Sequence, residues 1–283
     1  MENLLKTLVY DGQVSLTVAD TTELVKEAVK LHGLKKGSAT VLGKVLSAAA
    51  FTSAALKEER GEVSFTIKGN GTGGSVNVSG NQALHIRGYL ENPEIDELDE
   101  AEILGEYGSL TVIRDDGYSR PFVGSCAYPF AVSVDALFEE YYRVSEQLPT
   151  FLATKVELDE DGDVLFAGLA ALQPLPFTDE ATLNGLPKGK ELERIVEAVK
   201  NKGIKGAAKE LFSAKDDGIT LRRASYTCHC SRLYLTQVLA AVGEEQMRQI
   251  IREDGELRVH CHYCNTDYVF LDEDADKIFA RKK

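Results

Sequence analysis

Four of the five cysteines in this 283-residue chain fall within its last 56 residues, as two close pairs, Cys228-x-Cys230 and Cys261-x-x-Cys264. Thirty residues separate the pairs, so the C-terminal segment must fold back on itself if they are to act together. The chain does not need them as staples: a globular protein of this size buries roughly 70–75% of its unfolded surface without disulfides. The N-terminus, Met1 to Lys6, has neither a basic start nor a long apolar stretch. The longest apolar run, Val164 to Leu172, is nine residues, about half a bilayer span. These features predict a soluble cytoplasmic chain with no membrane partner, whose clustered cysteines signal metal or redox chemistry. Cys126, alone between Ser125 and Ala127, reads as a small core residue.

Four thiolates in two pairs match a tetrahedral structural zinc site, with Zn–S bonds of about 2.3 Å. Between the pairs, Leu235, Val238, Leu239 and Val242 form one apolar helical stripe and Met247, Ile250 and Ile251 another, with Gly243 and Gly255 as breaks. Leu257–His260 and Tyr268–Phe270 can pair as strands around the second knuckle. His229, His260 and His262 are alternative ligands, although the two cysteine pairs already fill four positions. Arg232 and Arg258, near the pairs in sequence, are expected to offset the excess charge of a four-thiolate centre.

The Cys-x-Cys spacing is the informative departure, because ordinary zinc knuckles leave two or more residues between ligands. One intervening residue holds the two Cα atoms at most about 7 Å apart. A disulfide there closes a tight ring, strained and readily reduced. Zinc keeps all four sulfurs as thiolates, the form that oxidants attack. Such a site can hold structure while reduced and lose its metal on oxidation; a purely structural zinc knob is the alternative that spacing leaves open.

The rest of the chain reads as α+β: a mixed core domain with a largely antiparallel sheet and helices over 1–178, a helical linker over 179–225, and a small zinc-binding domain over 226–283. In the first part, strand-like stretches such as Val14–Val18, Val63–Lys68, Ser75–Val78, Leu84–Leu90 and Leu110–Arg114 alternate with turn residues. Helices are expected from Thr21 or Thr22 to Gly33, from Ser38 to Leu56, and from Asp135 to Gln147. In the linker, Leu192, Ile195, Val196 and Val199 make an amphipathic stripe interrupted by Gly203 and Gly206, marginal unless docked. The net charge of −13 resides in 1–178, with 14 Lys and Arg against 27 Asp and Glu; the other two parts cancel. So acidic a body repels phosphate backbones and excludes nucleic acid as the main partner.

Two motifs are decoys. Gly69-Asn70-Gly71-Thr72-Gly73-Gly74 has the spacing of a dinucleotide loop, but Ser75–Gly80 alternates like a strand where a pyrophosphate-binding helix is required. Asp159–Asp163 lacks the spacing of a calcium loop. His32 and His85 read as structural. No catalytic residue and no organic cofactor site emerge, which points away from an enzyme.

With Cys228-x-Cys230 and Cys261-x-x-Cys264 in place, the sequence resembles the heat-shock protein 33 family of redox-regulated bacterial holdase chaperones. Arg87-Gly88-Tyr89-Leu90-Glu91-Asn92-Pro93 and Ser145-Glu146-Gln147-Leu148-Pro149-Thr150 extend the resemblance through the first domain. Ala167-Gly168-Leu169-Ala170-Ala171-Leu172 departs from it, with less glycine than the family leads one to expect. The resemblance implies an ATP-independent chaperone, inactive when reduced and holding one zinc through Cys228, Cys230, Cys261 and Cys264. It further implies that oxidation pairs Cys228 with Cys230 and Cys261 with Cys264, releases zinc, and unfolds the C-terminal domain and linker. Unfolding client proteins then bind, with a homodimer as the active form. Given that pairing, the wider Cys261-x-x-Cys264 ring should close first. Two other classes compete: a zinc-ribbon nucleic-acid module, opposed by a net charge of −2 in 226–283, and a dithiol oxidoreductase built on Cys261-x-x-Cys264.

Overall fold

The computed structural model describes residues 1–96, 99–130 and 132–280, in two compact units, Met1–Thr227 and Cys228–Lys283. The first unit begins with β1 (Leu4–Val9), β2 (Val14–Asp20), α1 (Thr22–His32), α2 (Lys36–Ser53), β3 (Glu62–Gly69), β4 (Ser75–Asn81) and β5 (His85–Leu90). It continues with α3 (Glu100–Leu104), β6 (Gly108–Asp115), β7 (Phe122–Tyr128), α4 (Val134–Tyr141), β8 (Phe151–Leu158) and β9 (Val164–Pro174). The segment 179–225 also falls within this unit, as α5 (Glu180–Asn184), α6 (Lys190–Phe212), β10 (Thr220–Arg222) and the start of β11 (Ser225–Tyr226).

Two sheets organise these elements, in the orders β10-β1-β2-β9-β8 and β11-β5-β4-β3-β6-β7. Every pairing is antiparallel except β11 on β5. The expected α+β class with a largely antiparallel framework is therefore the observed one. The first sheet is buried on both faces. Alternate residues Leu4, Ala19, Leu169 and Ala171 face a core shared with α2 and the second sheet. Their neighbours Leu5, Val18, Ala170 and Leu172 face α6. A strand buried on both sides reads as an unbroken apolar run, and that is the origin of Val164–Leu172. The small residues Ala167, Gly168, Ala170 and Ala171 seat β9 between β2 and β8.

Several local expectations are refined. Thr21 precedes α1, but its hydroxyl pairs with Ser47 Oγ at 2.7 Å; the amide of Thr22 is taken by Asp20 instead. The helix expected over Asp135–Gln147 ends at Tyr141 and passes into a π-type turn, after which Gln147 adopts φ 53°. Only Gly203 breaks α6, at φ 71°; Gly206 is helical. The decoy glycines turn the β3–β4 hairpin, and they need their bareness for a backbone rather than a phosphate. A Cβ at Gly69 or Gly71 would lie 1.9 Å from Leu104 O or 2.4 Å from Ile103 O of α3.

The second unit contains α7 (Arg232–Val242), α8 (Glu244–Asp254), β12 (Leu257–Cys261), β13 (Thr266–Phe270) and α9 (Asp272–Ala280). Its buried core is eight residues: Leu239, Met247, Ile251, Leu257, Phe270, Ala275, Ile278 and Phe279. A module this small gains little from apolar burial alone and needs a further staple to persist.

Candidate metal centre

Each cysteine pair is presented by a different local device. Cys261 closes β12 opposite Thr266 of β13, and Cys264 lies in the intervening turn, where Asn265 takes φ 51°. Cys228 and Cys230 precede α7, whose start is fixed by Ser231 Oγ accepting from Tyr234 N–H at 3.1 Å. The four sulfur atoms converge to within 4.8 Å of one another. Two contacts cross between the pairs: Cys230 to Cys264 at 3.1 Å and Cys228 to Cys261 at 3.7 Å. Metal–sulfur bonds of about 2.3 Å place tetrahedral ligands about 3.8 Å apart, so the spacing suits four-coordination. All four cysteines are half-buried.

Burial raises the Cys228, Cys230 and Cys264 thiols above their ordinary value. Burial acts the same way at Cys261, but backbone N–H groups of Cys264 and Tyr263, with neighbouring thiols, outweigh it and lower that thiol. A bound dication favours the thiolate at every position, so metal binding releases protons here. Tyr268 Oη lies 3.3 Å from Cys230 Sγ, a contact that raises the phenol and supports the thiolate.

The surrounding residues fall out differently from their sequence positions. His260 Nδ1 pairs with Asp267 at 2.7 Å, and its ring meets His262 edge-on at 4.9 Å. No histidine joins the sulfur cluster among the described residues. Arg232 binds Asp274 at 2.8 Å and lies over the Phe270 ring, while Arg258 binds Glu256 and Asp267. Both guanidiniums form ion pairs with carboxylates. Cys126, on β7 of the second sheet, is buried in the core, where desolvation pushes its thiol up to about 11. Sequence reasoning missed Tyr268, which alternation places on β13 but only the hairpin register brings to Cys230. Cys261-x-x-Cys264 occupies a hairpin turn, not the helix start of a thioredoxin-type dithiol.

A family model described as Hsp33 protein matches residues 2–271. The chain belongs to the Hsp33 family. A 33 kDa chaperonin of Clostridium botulinum (strain Langeland) is 33% identical, covering 98% of this chain and 97% of its own length. A 33 kDa chaperonin of Clostridium perfringens (strain SM101) is 29% identical, over 100% and 92%. The crystal structure of the 33 kDa chaperonin from Thermotoga maritima, a heat shock protein 33 homologue, superposes with a TM-score of 0.80 at 27% identity, covering 99% and 98%. Hsp33 membership supports a chaperone. The four-cysteine cluster can hold a metal ion, and no helix among the described residues is long and apolar enough to cross a membrane.

Proposed function

We propose that this Hsp33 member is a redox-regulated, ATP-independent holdase of the cytoplasm, kept inactive by one zinc ion held by Cys228, Cys230, Cys261 and Cys264. The convergence of four sulfurs on a module with an eight-residue core carries this reading. When bound, zinc supplies a cross-link worth about 10–16 kcal/mol to the folding of a small domain. That exceeds what the apolar core of 226–283 can offer alone.

A two-electron oxidant such as peroxide takes two electrons from a pair of thiolates. An S–S bond forms, the peroxide O–O bond breaks, and its two oxygens take up two protons from solvent and leave as two waters. A sulfur in a disulfide no longer carries the charge that holds a cation, so Cys228–Cys230 and Cys261–Cys264 bridges leave the module without its staple. The linker 179–225 then loosens from the core domain 1–178. Lifting α6 uncovers Leu5, Leu16, Val18, Phe166 and Leu172, a continuous apolar sheet face for unfolding clients. The active species is a homodimer. The test follows zinc release with a chromogenic chelator alongside light scattering of a thermally unfolding client, before and after peroxide. Suppression of client aggregation should appear only as zinc is lost; full holdase activity with zinc retained would overturn the reading.

A further inference from the structure

The eight residues before Cys228 are fastened to both sheets of the first unit. At one end, β10 pairs with β1, Leu4 opposite Arg222 and Lys6 opposite Thr220. At the other, β11 pairs with β5, Ser225 donating to Leu84 O at 3.0 Å and Thr227 to Ile86 O at 2.9 Å. Between them the Asn3 side chain grips Ala224 twice, donating to its carbonyl at 3.0 Å and accepting from its N–H at 2.7 Å. Arg222 reaches the carbonyls of Ala54 and Gln82.

The node of this strap is the Tyr226 phenol. It donates to Gly88 O at 2.8 Å, accepts from Gly88 N–H at 3.3 Å, and meets His32 Nε2 of α1 at 3.0 Å. With the phenol hydrogen committed to Gly88, the imidazole N–H is the donor. Arg87–Pro93, singled out by its resemblance to the family, thereby gains a physical role at Gly88. The strap also continues into the core shared with α6, because Ile219 and Leu221 pack against the cluster that includes Ala207 and Ala208 of that helix.

We infer that residues 220–227 form a clasp, and that the Tyr226–His32–Gly88 node sets how readily a change at Cys228 frees α6. This rests on the proposed redox switch. Pulling on Cys228 acts first on Thr227 and Tyr226; release of β11 exposes Ala224 and β10, and loss of β10 removes Ile219 and Leu221 from under α6. Tyr226 is thus a positioning residue that acts through the strap, not a ligand.

Hydrogen exchange on the full chain tests the inference, reduced and peroxide-oxidised, with zinc content measured in parallel. Tyr226→Phe keeps the ring and removes the phenol contacts. In the reduced, zinc-retaining protein it should speed exchange across Lys190–Phe212 by about tenfold, the scale of one or two lost buried hydrogen bonds. β3, β4 and β6 should be unchanged, and the further acceleration at α6 on oxidation should be correspondingly smaller than in wild type. His32→Ala should act likewise, and His32→Gln, which keeps a donor, should restore most of the protection. If Tyr226→Phe leaves α6 protected, loosens β3, β4 and β6 equally, or responds to oxidation as strongly as wild type, the inference fails alone. If wild-type α6 ignores oxidation, the switch reading fails and the inference with it.

Discussion

Asp135 sits in the first turn of α4, where its carboxylate accepts from Thr154 N–H at 3.1 Å and Thr154 Oγ1 at 2.5 Å. Burial pushes it up to about 6, with the nearby Lys44 charge opposing and Glu100 assisting. A carboxyl whose folded-state value is raised binds its proton more tightly when folded. Its stabilisation is complete below the unfolded value of about 4 and is lost as pH rises through about 6, a difference of at most about 3 kcal/mol. Asp135→Asn should therefore gain on wild type in melting temperature between pH 5 and pH 7.5, and lose that advantage by pH 4. Parallel melting-temperature profiles across that range would count against the assignment. The cysteines give a second prediction: Cys126→Ser should retain full zinc, because that thiol is buried in the core of the first unit, whereas Cys261→Ser should bind zinc severely less. Full occupancy in Cys261→Ser, read by metal analysis, would remove Cys261 from the ligand set. These four cysteines were legible because metal chemistry demands clustered sulfur at short spacing. Tyr226 and His32 were not, since 194 residues separate partners that meet only through the parallel β11–β5 pairing.

At the scale of elements, period and turn chemistry mark β3, β4, β6, α2 and the first two helices of the second unit, α7 and α8, in the sequence, but not α9. β1, β7, β10 and β11 escaped, each for lack of a local signal. β1 mixes apolar and polar residues without strict alternation because its sheet is covered on both faces, and β10 and β11 are too short to show a period. The stripe of α6 was plain in the sequence, but its destination was not. Leu192, Ile195, Val196 and Val199 are buried against the outer face of the first sheet, so a charge there opposes docking directly. Placing an unpaired carboxylate at Val196 costs several kcal/mol by desolvation, comparable to the whole hold of a marginal helix. Val196→Asp should therefore suppress client aggregation while reduced and zinc-bound, at a level approaching oxidised wild type. A variant with α6 exposed to protease but no holdase activity would show that the uncovered sheet face is not the client surface.

For the molecule as a whole, the outcome of oxidation depends on which sulfurs join. In the folded module Cys230 lies 3.1 Å from Cys264 and Cys228 3.7 Å from Cys261, pairs 34 and 33 residues apart. Bridges of that span would close large loops and stabilise the module by roughly 4 kcal/mol on loop entropy, locking it shut in place of zinc. The local pairs that the proposed switch uses, Cys228 with Cys230 and Cys261 with Cys264, would close almost no loop and leave residues 231–260 untethered between them, as oxidation-driven unfolding requires. The two are unequal as well: Cys261 is the sulfur whose thiol is lowered, and its partner Cys264 lies in the same hairpin turn, whereas Cys228–Cys230 must close a tighter ring. Mild peroxide should therefore produce Cys261–Cys264 first, with zinc released at that step, and Cys228–Cys230 later as the clasp of residues 220–227 gives way. Thiol trapping at timed intervals, followed by peptide mapping, resolves the species. Cross-pair bridges as the main product would make the oxidised module a stapled domain rather than an opened one, and simultaneous closure of both local bridges would remove the ordering argued from their unequal rings.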